Sequence, residues 1–111
     1  MWRDDAYLLD MLIAARKAAV ISKDLTFDAF KASDLHQNAL VYVMQTVGEA
    51  ATKVSKEFRE EHPEIDWANI IGMRNRLVHD YRRINVEKVW EALESGVPQL
   101  IAHLERLVPP E

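Results

Sequence analysis

ALVYVMQTV, residues 39–47, decides how the rest of the chain is read. Its core, LVYV, is β-branched and aromatic and could pass for a buried strand. Its setting argues otherwise. From Ser33 to His62 there are thirty residues with no turn signal, far longer than a strand and natural for a helix. A helix that is apolar almost all round at its middle is buried on several sides. The stretch therefore predicts a central helix, and with it an all-α fold.

Working outward, the other segments fall into the same period. Ser33 and Asp34 open the long helix, with Gln37 placed to close a capping box on Asp34, and Pro63 disfavours helix just before it, so the helix is expected to reach His62. Upstream, Leu8, Met11, Leu12, Ala15, Ala18 and Ala19 form one stripe of a first helix over Trp2–Ile21. A short piece follows around Thr26–Lys31, with Thr26 or Asp24 as its cap. Downstream, Asp66 caps a helix from Trp67 to about Tyr81, and Asn85 caps the last one. That last helix keeps phase from Val86 through Val89, Trp90, Leu93 and Val97 to Leu104 and Leu107. Ser95-Gly96-Val97-Pro98 therefore reads as a kink within it. The expectation is one domain, residues 1–111, built as a bundle of four main helices plus one short helix.

Composition narrows the function. There is no cysteine, which removes disulfides, zinc thiolates and cysteine nucleophiles. No apolar run approaches a membrane span, and Met1-Trp2-Arg3-Asp4-Asp5 does not look like a signal peptide, so a cytoplasmic location without membrane contact is expected. No Gly-rich phosphate loop is present. His36, His62 and His103 have no partner at metal spacing. The interleaved Lys56–Glu64 run reads as a solvated helix end, so no metal site and no cofactor are expected. Trp67 and Trp90 read as core anchors.

The net charge is −4, yet Arg74, Arg76, Arg82 and Arg83 stand within ten residues against Asp80 alone. A basic island on an acidic body points to a localised anion site or to a salt-bridged helix end. Arg74 is the unusual member, because its position belongs to the apolar stripe of Trp67, Ile70, Ile71, Leu77, Val78 and Tyr81. A charge there needs a partner or a cleft. Two readings stay open: an ion pair with a core carboxylate, Glu49 being the candidate, or an arginine lining a cleft that takes an anion. His79 lies five residues on, about 140° around an ideal helix, so the two side chains do not stack directly.

Arg74-Asn75-Arg76-Leu77-Val78-His79-Asp80-Tyr81 resembles the R-x-x-x-x-H-x-Y motif of HepT-like proteins, members of the HEPN group of helical ribonucleases. Val47-Gly48-Glu49-Ala50 is similar to the family's Gly-Glu-Ala segment, Pro63–Tyr81 to its signature run, and Val86–Trp90 to the start of its last helix. The resemblance implies a homodimer of helical bundles whose motifs face a shared cleft, and metal-independent RNA cleavage by a toxin. It also implies a partner, a minimal nucleotidyltransferase antitoxin of the MntA kind, which would transfer AMP onto Tyr81.

The residues suit that chemistry. RNA carries its own nucleophile, the 2′-OH, so the site needs a proton carrier and a cation. An imidazole such as His79 fills the first role and a guanidinium such as Arg74 the second. Asn75 and Glu49 would support Arg74. Arg76, Arg82 and Arg83 would contact RNA phosphates or an acidic partner surface. For Asn75, Arg76, Arg82 and Arg83 a plain solvated helix face is an equal reading, and for Glu49 a structural ion pair. The rival function is a non-catalytic dimeric module that holds a nucleotidyltransferase.

Overall fold

The computed structural model describes residues 2–80 and 83–109 (of Trp2, the backbone only). Helices α1 (Trp2–Ser22), α2 (Phe27–Ala32), α3 (Asp34–Lys53), α4 (Lys56–Glu61), α5 (Trp67–His79), α6 (Val86–Glu91) and α7 (Val97–Leu107) follow in order, with a π-helical turn, Ala92–Gly96, joining α6 to α7. Among the described residues there is no strand. The fold is all-α among the described residues: α3 packs against α1 on one side and α5 on another, and α7 packs on α1.

Local chemistry sets the helix starts. Thr26 Oγ1 accepts from Ala29 N–H at 3.1 Å and opens α2. Asp66 caps α5 and Asn85 caps α6, as their spacing predicts. At α3 the cap is Ser33 rather than Asp34: Ser33 Oγ accepts from His36 N–H at 3.2 Å and also meets the His36 ring. Gln37 closes no box. Its amide donates back to the carbonyls of Phe30 and Lys31, at 3.0 and 2.9 Å, and satisfies the end of α2.

The central helix is shorter than the sequence suggests. It stops at Lys53, and Ser55 opens the separate α4. The cause lies fifty-one residues away. Asp4 of α1 is buried, 5% exposed, and its carboxylate accepts both Ser55 N–H (2.8 Å) and Ser55 Oγ–H (2.7 Å). The Ser55 amide is thereby withdrawn from the helical ladder, and Val54, 1% exposed, turns into the core instead. Burial pushes the Asp4 carboxyl up, the two Ser55 hydrogen bonds are the main counterweight, and the net displacement is below the usual aspartate value.

The last segment keeps its phase through the expected kink. A π-helical turn, Ala92–Gly96, runs directly into α7 with helical backbone at Gly96 and Val97, and Pro98 lies in the first turn of α7. Val89, Leu93, Val97, Leu100 and Leu104 all reach the core. Phe30 is fully buried with its ring 5.4 Å from that of Trp90, and Trp67 donates its indole N–H to His62 O at 2.9 Å. Three stripe assignments shift. Ala14 rather than Ala19 is buried on α1. Tyr42, at the middle of α3, is 71% exposed, and Val78 is 41% exposed. The central helix thus keeps one open side, shared with α1 and α5.

Candidate functional site

The site is organised by a close crossing of α3 and α5. Gly48 sits where they meet: a Cβ on it would overlap Arg74 Cβ, fall 2.7 Å from Arg74 Cγ and 3.2 Å from Ile70 O. The missing side chain lets the stem of Arg74 lie across α3. The arginine head is then taken by Glu49, the next residue, whose Oε2 pairs with Nη2, while Nη1 donates to Asn75 Oδ1 at 2.8 Å. Two of the guanidinium's five donors are occupied by this clamp, and the side chain is 27% exposed.

Arg74 forms part of the wall of a groove of about 480 Å³ between α1, α3 and α5. Apolar Ile13, Tyr42 and Val78 line it together with both signs of charge, Lys17 and Lys53 against Asp10 and Glu49. Gln45, from the same groove, donates to Leu77 O at 3.2 Å and satisfies one of the last carbonyls of α5.

His79 is the last residue of α5 and is exposed. It does not line the groove that holds Arg74. One chain therefore brings Glu49, Arg74 and Asn75 together but leaves His79 on another side of the helix, as their separation on the helical wheel requires. Asp80 ends α5, its N–H bonding to Arg76 O at 2.9 Å. Arg76 and Arg83 are exposed and, with Asp80 and Lys88, border a second groove. Tyr81 and Arg82 lie outside the described residues. Of the remaining histidines, His36 sits against its cap Ser33. His62 stacks on Phe58 at 4.3 Å with Nδ1 3.0 Å from Glu64, which its own backbone N–H and then His62 hold below the usual glutamate value.

Sequence reasoning named Glu49 as a partner for Arg74 but gave Gly48 no physical role. The available signal was a glycine, one of three in the chain, inside a long helix where it weakens the helix without an evident gain.

The geometry meets a family pattern. Residues 11–107 match the family model described as "Ribonuclease HepT-like". The chain belongs to the HepT-like ribonuclease family. Relatives cover 80–91% of the chain. A protein of Thermococcus cleftensis named "Probable ribonuclease HepT" is 28% identical over 101 residues, which is 91% of this chain and 92% of that one. A protein of Caldanaerobacter subterraneus subsp. tengcongensis with a provisional RNase name is 32% identical over 89 residues, 80% of each. Another with a provisional RNase name, from Methanocaldococcus jannaschii, is 28% identical over 100 residues, 90% of this chain and 92% of its own. No solved structure gives a significant match. Among the described residues no helix is long and apolar enough to cross a membrane.

Proposed function

We propose that this HepT-like chain is a single-domain cytoplasmic toxin that cleaves RNA without a metal, as a homodimer. The observation that carries the reading is a family match that spans both motif residues, Arg74 and His79, in a chain where Arg74 is held rigidly and His79 is open at a helix end. The relatives' RNase names support RNA as the substrate.

In this reading the 2′-OH of a ribose attacks the adjacent phosphorus and the bond to the 5′ oxygen breaks. The products are a 2′,3′-cyclic phosphate and a 5′-OH. His79 takes the 2′-OH proton, and a second imidazole or water returns one to the leaving oxygen. The free donors of Arg74 meet the phosphate as charge builds on it. Arg74 and His79 stand about 140° apart near the end of α5, and the long arginine side chain reaches round so that both meet one phosphate in a cleft that a second copy completes. The groove face suits a second copy too: Ile13, Tyr42 and Val78 are exposed there between charges of both signs, as a self-complementary contact needs. Arg76, Arg82 and Arg83 contact the RNA backbone. An MntA-like nucleotidyltransferase neutralises the toxin by placing AMP on Tyr81, which adds bulk and negative charge beside the arginines.

A second reading has an observation in its favour. Glu49 compensates the charge of Arg74, as a purely structural ion pair would. In that case the dimer serves to hold the nucleotidyltransferase, and cleavage is absent. The separating experiment is RNA cleavage by purified protein in EDTA, with His79→Ala and Arg74→Ala alongside. Mass spectrometry first establishes that Tyr81 is unmodified. Cleavage by wild type that ends in cyclic phosphate and falls about 10²–10⁴-fold in His79→Ala is the expected result. Folded, unmodified wild type that cuts none of a varied set of RNAs sinks the nuclease reading in favour of the binding module.

A further inference from the structure

The second groove, of about 240 Å³, lies on the other side of α5 from Arg74, where α5 ends and α6 begins. Leu77 and Val89 give it an apolar floor, and its rim carries Arg76, Arg83, Lys88 and Asp80. Arg76, Arg83 and Lys88 are all exposed, and among the described residues none of them is ion-paired with a carboxylate. In a chain with 18 acidic side chains, three cations around one small groove with a single aspartate are under-compensated. Like charges gathered at one groove raise the local preference for an anion.

Lys88 is set there by the chain's own capping chemistry. Asn85 Oδ1 accepts Lys88 N–H at 3.0 Å, which fixes the first turn of α6 and aims its third residue at the end of α5. Arg76 lies three positions before His79 and so neighbours it on the helix surface. A phosphate held by Arg76 in this groove would thus neighbour the group that His79 would act on.

We propose that Lys88, with Arg76 and Arg83, forms a subsite for an RNA backbone phosphate that neighbours the scissile one. The inference rests on the ribonuclease reading and adds Lys88 as a positioning residue contributed by α6. An RNA strand fits better than an acidic protein because two of the groove's residues, Arg76 and Asp80, flank His79 along the chain, and the groove is small enough for one phosphodiester. Lysine supplies a point charge here, so arginine can replace it.

The test uses a single-stranded 2′-O-methyl oligonucleotide, which binds but cannot be cut, titrated across salt with wild type, Lys88→Ala and Lys88→Arg. Lys88→Ala is expected to weaken binding about three- to tenfold and to lower the slope of log K against log salt by about 0.7, the share of one phosphate on a single strand. Lys88→Arg is expected to restore both. On cleavable RNA, Lys88→Ala raises KM on a long strand and leaves kcat unchanged, and it has no effect on a dinucleotide with a single phosphodiester. Unchanged affinity and slope in Lys88→Ala overturn the subsite. The same holds if RNA affinity is kept while binding of poly-glutamate falls, which hands the groove to an acidic protein. Wild type that binds the oligonucleotide with the expected Lys88 dependence but cuts no RNA leaves the subsite standing and removes the ribonuclease reading.

Discussion

At Gly48 a single missing methyl decides whether the site can form. Substitution by alanine gains helix propensity of about 1 kcal/mol, but its Cβ would overlap the Arg74 stem and crowd Ile70 O, neither of which is a flexible chain end. Overpacking of this kind costs about 1–3 kcal/mol, so Gly48→Ala is expected to be net destabilising in urea unfolding. It is also expected to displace the guanidinium from Glu49 and Asn75, and so to lower any Arg74-dependent activity more than stability alone explains. Gly96 is the contrasting case. It has ordinary right-handed helical angles, φ −71° and ψ −45°, and a Cβ there would meet nothing within 4 Å. Gly96→Ala should stabilise by about 0.5–1 kcal/mol, measured as a raised Tm.

The contact between elements that most needs its partner is Asp4 on α1 with the start of α4. Asp4→Ala leaves the Ser55 amide without its acceptor and is expected to cost about 1–3 kcal/mol in denaturant unfolding. The pair also gives stability a direction in pH. The Asp4 carboxyl is held below its ordinary value when folded, so its contribution is fully present above the unfolded carboxylate pKa of about 3.9 and is lost as pH falls through the folded value. Acid titration of stability should therefore be steeper for wild type below about pH 4 than for Asp4→Asn, which cannot gain that proton. Equal slopes would mean that the Asp4 charge contributes nothing to the joint. The same contact explains why α3 is shorter than its hydrophobic pattern suggests. Periodicity reports which face is apolar, whereas a carboxylate from a distant helix decides where the ladder is interrupted.

For the molecule as a whole, the open question is the face that includes Ile13, Tyr42 and Val78. If a second copy covers it, Tyr42→Glu places a buried charge in the interface and shifts sedimentation from dimer to monomer at micromolar protein, with far-UV circular dichroism unchanged. A dimer that survives this substitution lies on another surface. The same face separates the roles of the two motif residues, since Arg74 borders it and His79 does not. Activity that vanishes with Tyr42→Glu while the fold persists would tie cleavage to assembly.

The helical class and the starts of α1, α2, α3, α5 and α6 were legible in the chain, because a 3.6-residue period and short polar caps are local properties, whereas the separate α4 was not. Asn85 and Asp66 cap where their spacing says they should, and the irregularity expected around Ser95-Gly96-Val97-Pro98 is a π-helical turn over Ala92–Gly96 just before Pro98, which has no N–H to give the ladder. Arg74 was also conspicuous, since a charge on an apolar stripe breaks the pattern around it. The sequence could not choose between Ser33 and Asp34 as a cap, could not stop α3 at Lys53, and could not expose Tyr42. Each of those depends on how elements meet: the carbonyls at the end of α2 that draw Gln37, the carboxylate of Asp4 fifty-one residues from Ser55, and a side of the bundle that no helix covers among the described residues. Nor could it show that Gly48 makes room for Arg74. A glycine inside a helix is unfavourable by local rules, and only the close approach of a second helix supplies the reason for it.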